Sequence, residues 1–407
     1  MIKRMSFKQF VFIIPLLCFM AVFSIYPVIT SIMYTFFDYR TNDQRYNSFY
    51  ISEKLNGPLF VEDCEYVNYF ISADITLVEE EDQLAFTAIQ ERVNGMLEKY
   101  EGETETRDMT GEERKEIVTF IEEITAQSQA IYDKYPDVQF YNKENMATIL
   151  QDLAGCVVQS NYIGTSNYQH LFSDGRFGAA LLHTVLFTVA SVSIEFVLGM
   201  GLALIMSKAM RGTGIIRTIA LIPWAIPTAV SALIWSYLYD GSYGVVSKIF
   251  SMVGIIGSQA DMLLTAQGAM ASAILADVWK TTPYMALLLM AGLQTIDQGL
   301  YESAAIDGAS PVRAFFSITL PLMKPSILVA LLFRTLDAFR VYDLISVLTG
   351  GGPGNGTETL SVYAYKLIFG QNNYGYGSTV VVGMFVCVAI IATIYVKVLG
   401  AELINND

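Results

Sequence analysis

The sequence lacks the short motifs on which most nucleotide-driven and hydrolytic enzymes depend. It contains no Gly-Lys dipeptide, so the phosphate-binding loop GxxxxGK[ST] cannot form, and it contains no HExxH zinc motif. No Gly-x-Ser-x-Gly elbow occurs in a strand-turn-helix context. We therefore expect no catalytic residue and no cofactor, and any process driven by ATP must take its energy from a partner chain.

Cysteine and histidine are scarce, since the chain has four cysteines and two histidines among 407 residues. They form neither a CxxC pair nor a Cys/His cluster, so we expect no metal site. Cys18 and Cys387 lie in apolar segments and fit small core residues. Cys64 and Cys156 share one acidic stretch, and their spacing leaves both a disulfide and two free thiols open.

Basic residues are few in residues 42–160, where 25 Asp and Glu stand against nine Lys and Arg, a net charge of −16. The whole chain carries −14, so the remaining residues carry about +2. This acidity argues against nucleic acid as a partner and is typical of a solvated domain. The chain therefore divides into residues 1–40, an acidic insert over residues 41–160 and an apolar core over residues 161–407.

Long apolar segments dominate outside the insert, and the whole chain is 53% hydrophobic with a mean hydropathy of +0.42. Each segment is near the roughly 20 residues that a helix needs to cross a bilayer. The predicted spans are residues 10–37, 179–206, 219–238, 269–293, 326–348 and 378–399. Basic residues expected at cytoplasmic ends are Lys3, Arg4, Lys8, Lys208, Arg211, Arg217, Arg313, Lys324 and Lys397. The pattern predicts an α-helical polytopic protein of the cell membrane with six transmembrane helices. Both termini are expected in the cytoplasm, and the insert is expected outside, between helices 1 and 2.

The acidic insert carries the patterns of a small folded domain. Apolar residues recur on one face over residues 79–100 and 111–135, which predicts two helices. Thr110 and Glu113 fit a capping box at the start of the second helix. Val, Tyr and Ile alternate over residues 67–71, which predicts a half-buried strand. We therefore expect an α/β or α+β domain of about 120 residues with its own core.

The loop over residues 299–325, between two predicted spans, carries turn and capping signals. Residues 299–306 fit a short helix, and Gly308 follows an Asp in a turn where it can adopt the left-handed conformation. Ser310 and Pro311 fit the N-cap and first position of a second helix. The sequence thus predicts a compact helix-turn-helix at the membrane surface.

This loop resembles the coupling loop of binding-protein-dependent ABC import permeases, which reads Glu-Ala-Ala, then Gly, then nine residues, then Ile-x-Leu-Pro. Ser303 stands where the family has its first Ala, a change between small residues. In the family this loop docks into a groove on a cytoplasmic ATPase and transmits its closure to the membrane helices. The resemblance assigns this role to Glu302, Ala304, Ala305, Asp307, Gly308, Ile318, Leu320 and Pro321. The alternative is an interfacial amphipathic hairpin without a partner.

The resemblance also implies a fold and a set of partners. It covers the first span and the chain after about residue 161, which would form the six-helix core of an ABC importer permease. The implied partners are a second permease subunit in a heterodimer, a dimer of cytoplasmic ATP-binding subunits and an extracytoplasmic solute-binding protein. Membrane lipid would surround the helices, and no nucleic acid is implied.

Two stretches resemble carbohydrate permeases in particular. Residues 348–357, LTGGGPGNGT, are similar to the outer loop of sugar-type permeases, and the position of the insert resembles that in the maltose-type subunit. The run over residues 334–353 is closer to trehalose-type and other disaccharide permeases. The resemblance therefore implies transport of a di- or oligosaccharide.

The fourth span contains candidate sugar-binding residues. Trp279, Thr281 and Tyr284 flank Pro283, which can break the helix and expose carbonyl groups toward a cavity. In the maltose-type subunit, the matching Trp and Tyr line the sugar site. The alternative is ordinary aromatic packing near the membrane interface.

The fifth span carries Arg334, Asp337, Arg340 and Asp343 at three-residue intervals, so that neighbours of opposite charge can pair along a helix. Ionisable groups inside a span indicate a functional site, and Asp337 and Arg340 are the candidate sugar contacts. The alternative is a buried ladder of ion pairs that fixes helix packing. Glu195 in the second span must likewise face protein or water.

The leading interpretation is a permease subunit of an ATP-driven importer for a di- or oligosaccharide. One alternative is an importer of another solute, such as glycerol phosphate or a peptide. A membrane sensor with an outer ligand-binding domain is another, although it needs a cytoplasmic output domain for which no segment is long enough. A membrane enzyme is disfavoured because the motifs for catalysis are missing.

Overall fold

The computed structural model describes the chain over residues 7–43, 46–207 and 213–405. Within these residues the chain is mainly α-helical and has one small sheet. Four of the basic residues expected at cytoplasmic helix ends lie outside the described residues, namely Lys3, Arg4, Lys208 and Arg211.

The chain forms two compact units, each with its own hydrophobic core. The first comprises Met1–Thr35 and Thr165–Asp407, and we call it the core unit. The second comprises Phe36–Gly164, and we call it the insert unit.

The core unit begins with helices α1 (Phe7–Met20) and α2 (Tyr26–Tyr34), which are joined by a π-helical turn at Ala21–Ile25. Pro27 lies in the first turn of α2, directly after the π-helical turn. The stretch Ile13–Tyr34 is long and apolar enough to cross a membrane.

The insert unit combines helices with a small antiparallel sheet. Its elements are, in chain order, β1 (Lys54–Asn56), α3 (Gly57–Asp74), α4 (Glu80–Tyr100), β2 (Thr106–Asp108), α5 (Gly111–Lys134), α6 (Lys143–Gly155) and β3 (Val157–Val158). Strand β1 is central and pairs antiparallel with both others, so that Leu55 lies opposite Arg107 on one side and Val157 on the other. This arrangement is α+β.

The two helices predicted in this unit are confirmed as α4 and α5. The capping box is confirmed too. The Thr110 hydroxyl accepts a hydrogen bond from the Glu113 backbone N–H at 3.2 Å, and the Glu113 carboxylate accepts one from the Thr110 N–H at 3.4 Å. The predicted apolar faces are buried, including Ile89, Val93, Ile117 and Ile124.

The strand predicted over residues 67–71 is wrong, because these residues lie inside helix α3. Val67 and Ile71 are fully buried and four residues apart, whereas Tyr69 is 68% exposed. Apolar residues at i and i+4 share a helix face, so the alternating pattern satisfied the helical period as well. The Asn56 side chain accepts a hydrogen bond from the Leu59 N–H and starts the helix.

Cys64 and Cys156 are both free, buried thiols in the structure, so the disulfide left open by their spacing is not formed. The Cys156 thiol instead donates to Asp63 Oδ2 at 3.3 Å. Burial raises the pKa of the Cys64 thiol to about 12, and it also raises the pKa of Cys156. Both side chains therefore behave as small core residues.

The rest of the core unit is helical. Its α-helices are α7 (Ser166–Ser173), α8 (Gly175–Ser207), α9 (Thr213–Ala225), α10 (Thr228–Leu238), α11 (Val245–Met252), α12 (Asp261–Leu264), α13 (Ala266–Leu293), α14 (Gln298–Ile306), α15 (Pro311–Ala314), α16 (Leu320–Leu322), α17 (Lys324–Phe339), α18 (Asp343–Leu348), α19 (Leu360–Tyr365) and α20 (Tyr374–Asn405). Short π-helical segments at Phe315–Thr319 and Lys366–Gly370 interrupt two of the runs.

Several of these helices have the length and apolarity of membrane spans. Among the described residues, three do so alone, namely Ile13–Tyr34, Gly175–Ser207 and Tyr374–Val398. Two more spans arise only if a bent pair counts as one, with bends of 87° between α9 and α10 and 70° between Pro311–Leu322 and α17. The third predicted span is bent between α9 and α10, and the fifth is interrupted between Phe339 and Asp343. Neither of these two predicted spans is therefore a straight helix.

Helix α13 runs unbroken through Pro283, so the prediction that Pro283 breaks the fourth span is wrong. The proline removes one backbone hydrogen bond, but neighbouring helices hold α13 in place. Its longest contact is with α8, where a Cβ on Gly199 would lie 2.8 Å from Met285 Cγ. A glycine at this position allows the two helices to approach closely.

Candidate functional site

A cavity of about 300 Å³ in the core unit lies where two interrupted helices meet. The break between α9 and α10, the middle of α13 and the break between α17 and α18 surround it. The lining residues are Trp224, Thr228, Asp277, Lys280, Thr281, Arg334, Asp337, Ala338, Arg340, Val341, Tyr342, Asp343 and Leu344.

Backbone conformation opens both helices at this cavity. Pro227 has an extended backbone, with φ −53° and ψ 139°, and α10 begins directly after it. At the second break, Arg340 ends α17, and Tyr342, with φ −130° and ψ −63°, precedes α18. Interrupted helices leave N–H and C=O groups without intrahelical partners, and such groups can bind a polar ligand.

Arg334 is the centre of a buried ionic cluster beside the cavity. Its side chain is 1% exposed, and it donates through Nε and Nη2 to both carboxylate oxygens of Glu195, the Nη2 bond measuring 2.9 Å. Nη2 also donates to Asp277 Oδ2, and Nη1 donates to Asp337 Oδ2 at 3.1 Å. One guanidinium thus joins carboxylates from α8, α13 and α17.

The carboxylates of this cluster differ in exposure. The side chain of Glu195 is fully buried and that of Asp277 is 9% exposed, whereas that of Asp337 is 63% exposed. A buried carboxylate without a partner would cost several kcal/mol, and Arg334 offsets this cost. The Thr281 hydroxyl adds a further contact, 2.7 Å from Glu195 Oε1. Among the described residues, nothing donates a hydrogen bond to Asp337 Oδ1, so this oxygen can still accept one.

Two further cations lie at the cavity wall. Lys280 is 7% exposed, and its ammonium group donates to the Trp224 carbonyl oxygen at 3.4 Å. Arg340 donates through Nε to the Leu336 carbonyl oxygen at 3.1 Å. Each of these cations has further N–H groups that a ligand can accept from.

The residues predicted to contact sugar fall into two groups. Thr281, Asp337 and Arg340 line the cavity, whereas Trp279 and Tyr284 do not. Thr281 and Asp337 lie on the helix faces that carry the ionic cluster, and Arg340 follows the end of α17. The two aromatic residues of the predicted set, Trp279 and Tyr284, lie on other parts of α13.

Helical geometry explains where the aromatic residues lie. Trp279 is two positions after Asp277, on a different face of α13, and it packs edge-on against Trp235 with ring centres 5.5 Å apart. Tyr284 stacks on Trp224 at 5.6 Å with the rings nearly parallel. Trp224 therefore provides aromatic lining of the cavity, together with Tyr342. Sequence reasoning missed Trp224, although the nearby prolines at 223 and 227 marked the helix break.

The ladder of ion pairs left open as an alternative along the fifth span forms, among the described residues, only at its first step. Arg334 pairs with Asp337, but α17 ends at Phe339, and Asp343 opens the separate helix α18. The strongest partners of Arg334 lie on other helices, at Glu195 and Asp277.

The loop over residues 299–325 has the predicted local structure. Helix α14 ends before Gly308, which has the left-handed φ of +76°. Ser310 caps α15 by accepting from the Arg313 N–H at 3.3 Å, and Pro311 occupies its first turn. The Tyr301 hydroxyl lies 2.8 Å from Thr319 Oγ1 and links the two halves of the loop.

The outer surface of this loop is largely exposed and mixes charged with apolar groups. Glu302 and Asp307 are exposed, and Ala304, Ile318 and Leu320 are half-buried. Ala305 and Pro321 are exposed as well. Five large apolar side chains of the loop are also exposed, namely Ile306 at 87%, Val312 at 67%, Phe316 at 62%, Leu322 at 51% and Leu300 at 45%. An exposed group of this kind is typical of a protein contact.

A second polar network, missed by sequence reasoning, holds the loop after α18. Glu358 is 1% exposed and accepts two hydrogen bonds from Arg176, at 2.7 and 2.8 Å, and one from Lys366 at 2.8 Å. Burial opposes ionisation of Glu358, but the bonds from these two cations outweigh it and hold its pKa below the ordinary value. His183 Nδ1 lies 3.3 Å from the Glu358 carbonyl oxygen.

Comparison with known proteins places the chain in a family. The model of the binding-protein-dependent transport system inner membrane component matches residues 195–404, which is more than half of the chain. The chain is 46% identical over 242 residues to the trehalose/maltose transport system permease protein MalF of Thermococcus litoralis, a match covering 60% of this chain and 81% of that protein. It is 42% identical over 240 residues to the trehalose transport system permease protein SugA of Mycobacterium tuberculosis, covering 59% and 76%.

A solved structure shares the fold. The crystal structure of a bacterial ABC transporter involved in the import of the acidic polysaccharide alginate aligns with a TM-score of 0.53 at 23% identity, covering 59% of this chain and 84% of that chain. This chain therefore belongs to the family of binding-protein-dependent transport system inner membrane components, the permease subunits of ABC importers.

Proposed function

We propose that this chain forms, with a second permease subunit, the translocation path of an ATP-driven ABC importer for a di- or oligosaccharide. The cavity beside Arg334 carries the proposal, because it joins an aromatic wall to unpaired polar groups where two helices are interrupted. Relatives named for trehalose and maltose, at 46% and 42% identity, support a carbohydrate.

The cavity has the chemistry that a sugar needs. Sugars carry hydroxyl groups around the ring and apolar C–H faces above and below it. Trp224 offers an indole face, and Tyr284 stacks behind it and holds it in place. Asp337 accepts from hydroxyl groups, and Lys280 donates to them. The second permease subunit would close the other side.

The proposed membrane arrangement has six spans. The three long apolar helices, the two bent pairs and α13 supply them. The α9–α10 pair fits because its break lies at the polar cavity rather than in lipid, whereas the second pair bends at Met323, within the loop over residues 299–325. Both termini would lie in the cytoplasm and the insert unit outside, the topology that the basic residues Arg217, Arg313 and Lys324 favour.

The loop over residues 299–325 would contact the ATPase. Its exposed apolar residues Ile306, Val312 and Phe316 would enter a groove, and Glu302 and Asp307 would pair with basic groups. The bend into α17 leads from this loop toward Arg334 and the cavity. Closure of the ATPase dimer would therefore act on the helix that carries Asp337.

The insert unit would dock the extracytoplasmic solute-binding protein. Two features support this role, namely its separate hydrophobic core and its position in the chain between the first two predicted spans. Its net negative charge would speed encounter with a basic partner surface.

Reconstitution tests the proposed function directly. The chain is purified with its second permease and ATPase, placed in lipid vesicles and supplied with the solute-binding protein and a labelled disaccharide. We expect uptake that requires both ATP and the binding protein. Uptake without ATP, or the absence of uptake for neutral and acidic saccharides alike, would contradict the proposal.

A further inference from the structure

The positive charge of Arg334 is fully engaged beside the cavity. Its Nε, Nη1 and Nη2 groups all donate to carboxylates, and the side chain is 1% exposed. Glu195, Asp277 and Asp337 together outnumber this one guanidinium by two charges. The cluster therefore presents an excess of negative charge to the cavity.

The other two cations of the wall, Lys280 and Arg340, equal this excess in formal charge, and Asp343 restores one net negative charge. Arg340 caps the C-terminal end of α17 and donates to the Leu336 carbonyl, where the helix dipole already supplies negative partial charge. Lys280 is 7% exposed and is held at the Trp224 carbonyl. Asp343 adds another carboxylate to the wall.

Asp337 is the carboxylate of the cluster that a ligand in the cavity can contact. Its side chain is 63% exposed, whereas its carboxylate partners in the cluster are 9% exposed or fully buried. Arg334 holds Oδ2 at 3.1 Å and so orients the carboxylate of Asp337, which lines the cavity and, among the described residues, receives no hydrogen bond at Oδ1. A neutral hydroxyl can donate a charge-assisted hydrogen bond to this oxygen, but an anionic substituent is repelled by it.

We infer that the cavity selects neutral saccharides over saccharides that carry a carboxylate or sulfonate, and that Asp337 is the specificity-determining residue. The inference rests on the proposed function, because it concerns the same cavity. Glu195 and Asp277 act as positioning residues: they bind Arg334, and Arg334 fixes Asp337.

Equilibrium binding to the purified importer, measured without the solute-binding protein, isolates the selectivity of the permease itself. The two ligands are labelled trehalose and a disaccharide of equal size that contains one glucuronate, both at pH 7. We expect the glucuronate ligand to bind at least about tenfold more weakly. Asp337→Asn should reduce this difference in affinity, because asparagine keeps the shape of the side chain and removes its charge.

Two variants complete the test. Arg340→Gln removes a cation from the wall without touching the buried cluster, so it should increase the difference in affinity between the two ligands. If Asp337→Asn does not assemble, the result for Arg340→Gln alone tests the inference. Glu144→Gln removes one exposed carboxylate from the insert unit and should leave the difference in affinity unchanged.

The outcomes separate the inference from the function on which it rests. Equal binding of both ligands, or a difference in affinity that neither cavity variant changes, would overturn the selectivity while leaving sugar transport intact. Failure of the wild-type importer to bind either ligand would count against the sugar site itself and would remove the inference with it.

Discussion

The insert unit and the core unit use ion pairs in opposite ways. In the insert unit, the pairs Arg92–Glu123 and Lys99–Glu116 lie at the surface, with side chains between 37% and 49% exposed. In the core unit, Arg334 and Glu195 form a pair whose side chains are 1% and 0% exposed. These two pairs of the insert unit thus lie in water, whereas the Arg334–Glu195 pair of the core unit is buried.

The composition suggests that charged pairs stabilise the acidic insert unit more than the core unit, but the exposure of the pairs indicates the opposite. Exposed pairs contribute about 0–1 kcal/mol because water and salt screen them. Removing one partner of a buried pair costs about 3–5 kcal/mol because the other charge is left without compensation. The insert unit therefore depends on its apolar core, whereas the core unit depends on a few charged residues.

The largest effect should come from Arg334→Met, which keeps much of the side-chain volume and removes the charge. Three carboxylates would then lose their common partner, at a cost of about 3–5 kcal/mol. We expect a marked fall in the thermal unfolding midpoint of the detergent-solubilised importer. Arg340→Met is the matched control, since Arg340 bonds only a backbone carbonyl among the described residues. Equal midpoints for the two variants would refute the importance of the buried cluster.

The next effect concerns the aromatic wall. Trp224→Ala should weaken sugar binding by about 1–3 kcal/mol, because the indole face is lost. Trp279→Ala should weaken it far less, since Trp279 packs against Trp235 and does not line the cavity. Sugar titration of both variants by calorimetry measures the difference. A larger loss for Trp279→Ala would move the site to the position that the sequence alone predicted.

Asp63 in the insert unit offers a buried carboxylate without a cation, and it should respond to pH. Burial raises its pKa to about 6, the Cys156 thiol partly opposes this, and Asp152 and Glu62 add to it. The folded state therefore binds the proton more tightly than the unfolded state, so stability falls as the pH rises through about 6.

We expect the full chain to lose about 1–2 kcal/mol of local stability in α3 between pH 5 and 7. Hydrogen exchange of the α3 amides, corrected for the intrinsic rate at each pH, measures this loss. Asp63→Asn should remove the pH dependence. The same pH dependence in the variant would show that another group is responsible.

Gly308 in the coupling loop should tolerate only residues that adopt its left-handed conformation. Gly308→Val is expected to cost about 1–2 kcal/mol locally and to uncouple ATP hydrolysis from transport. Since a Cβ there would meet no atom within 4 Å, the cost is conformational and Gly308→Asn should be mild. Uptake and ATPase rates are measured together for both variants. Normal coupling in Gly308→Val would argue against this role for the loop.

The smallest effect should come from the exposed pair Arg92–Glu123. Arg92→Ala should change the free energy of unfolding by less than about 1 kcal/mol, and salt should remove even this change. Denaturant titration of the full chain at two salt concentrations measures it. A loss of unfolding free energy as large as that of Arg334→Met would show that exposed and buried ion pairs contribute equally in the two units.

Local signals in the sequence predicted local structure well. The capping box at Thr110, the cap at Ser310 and the left-handed turn at Gly308 each depend on residues within about four positions. Helices α4 and α5 followed from their apolar period for the same reason. The strand prediction failed where one pattern satisfied two periods, at Val67 and Ile71.

Contacts between residues far apart in the chain could not be predicted from the sequence alone. Glu195 and Arg334 meet across 139 residues, and nothing local to either residue names the other as its partner. Trp224 enters the cavity because α9 and α10 bend by 87°, an angle that depends on packing. Pro283 remains helical for a related reason, since α8 packs along α13. The candidate residues Thr281, Asp337 and Arg340 were identifiable because polar groups inside an apolar span already mark a site.

The structure of the assembled importer with a disaccharide trapped in the membrane tests the central claim most directly. The account predicts sugar density in the cavity between α9, α13 and α17, with a ring face against Trp224 and a hydroxyl within hydrogen-bonding distance of Asp337. Density that contacts only the partner permease, with Trp224 and Asp337 more than one water molecule away, would contradict it.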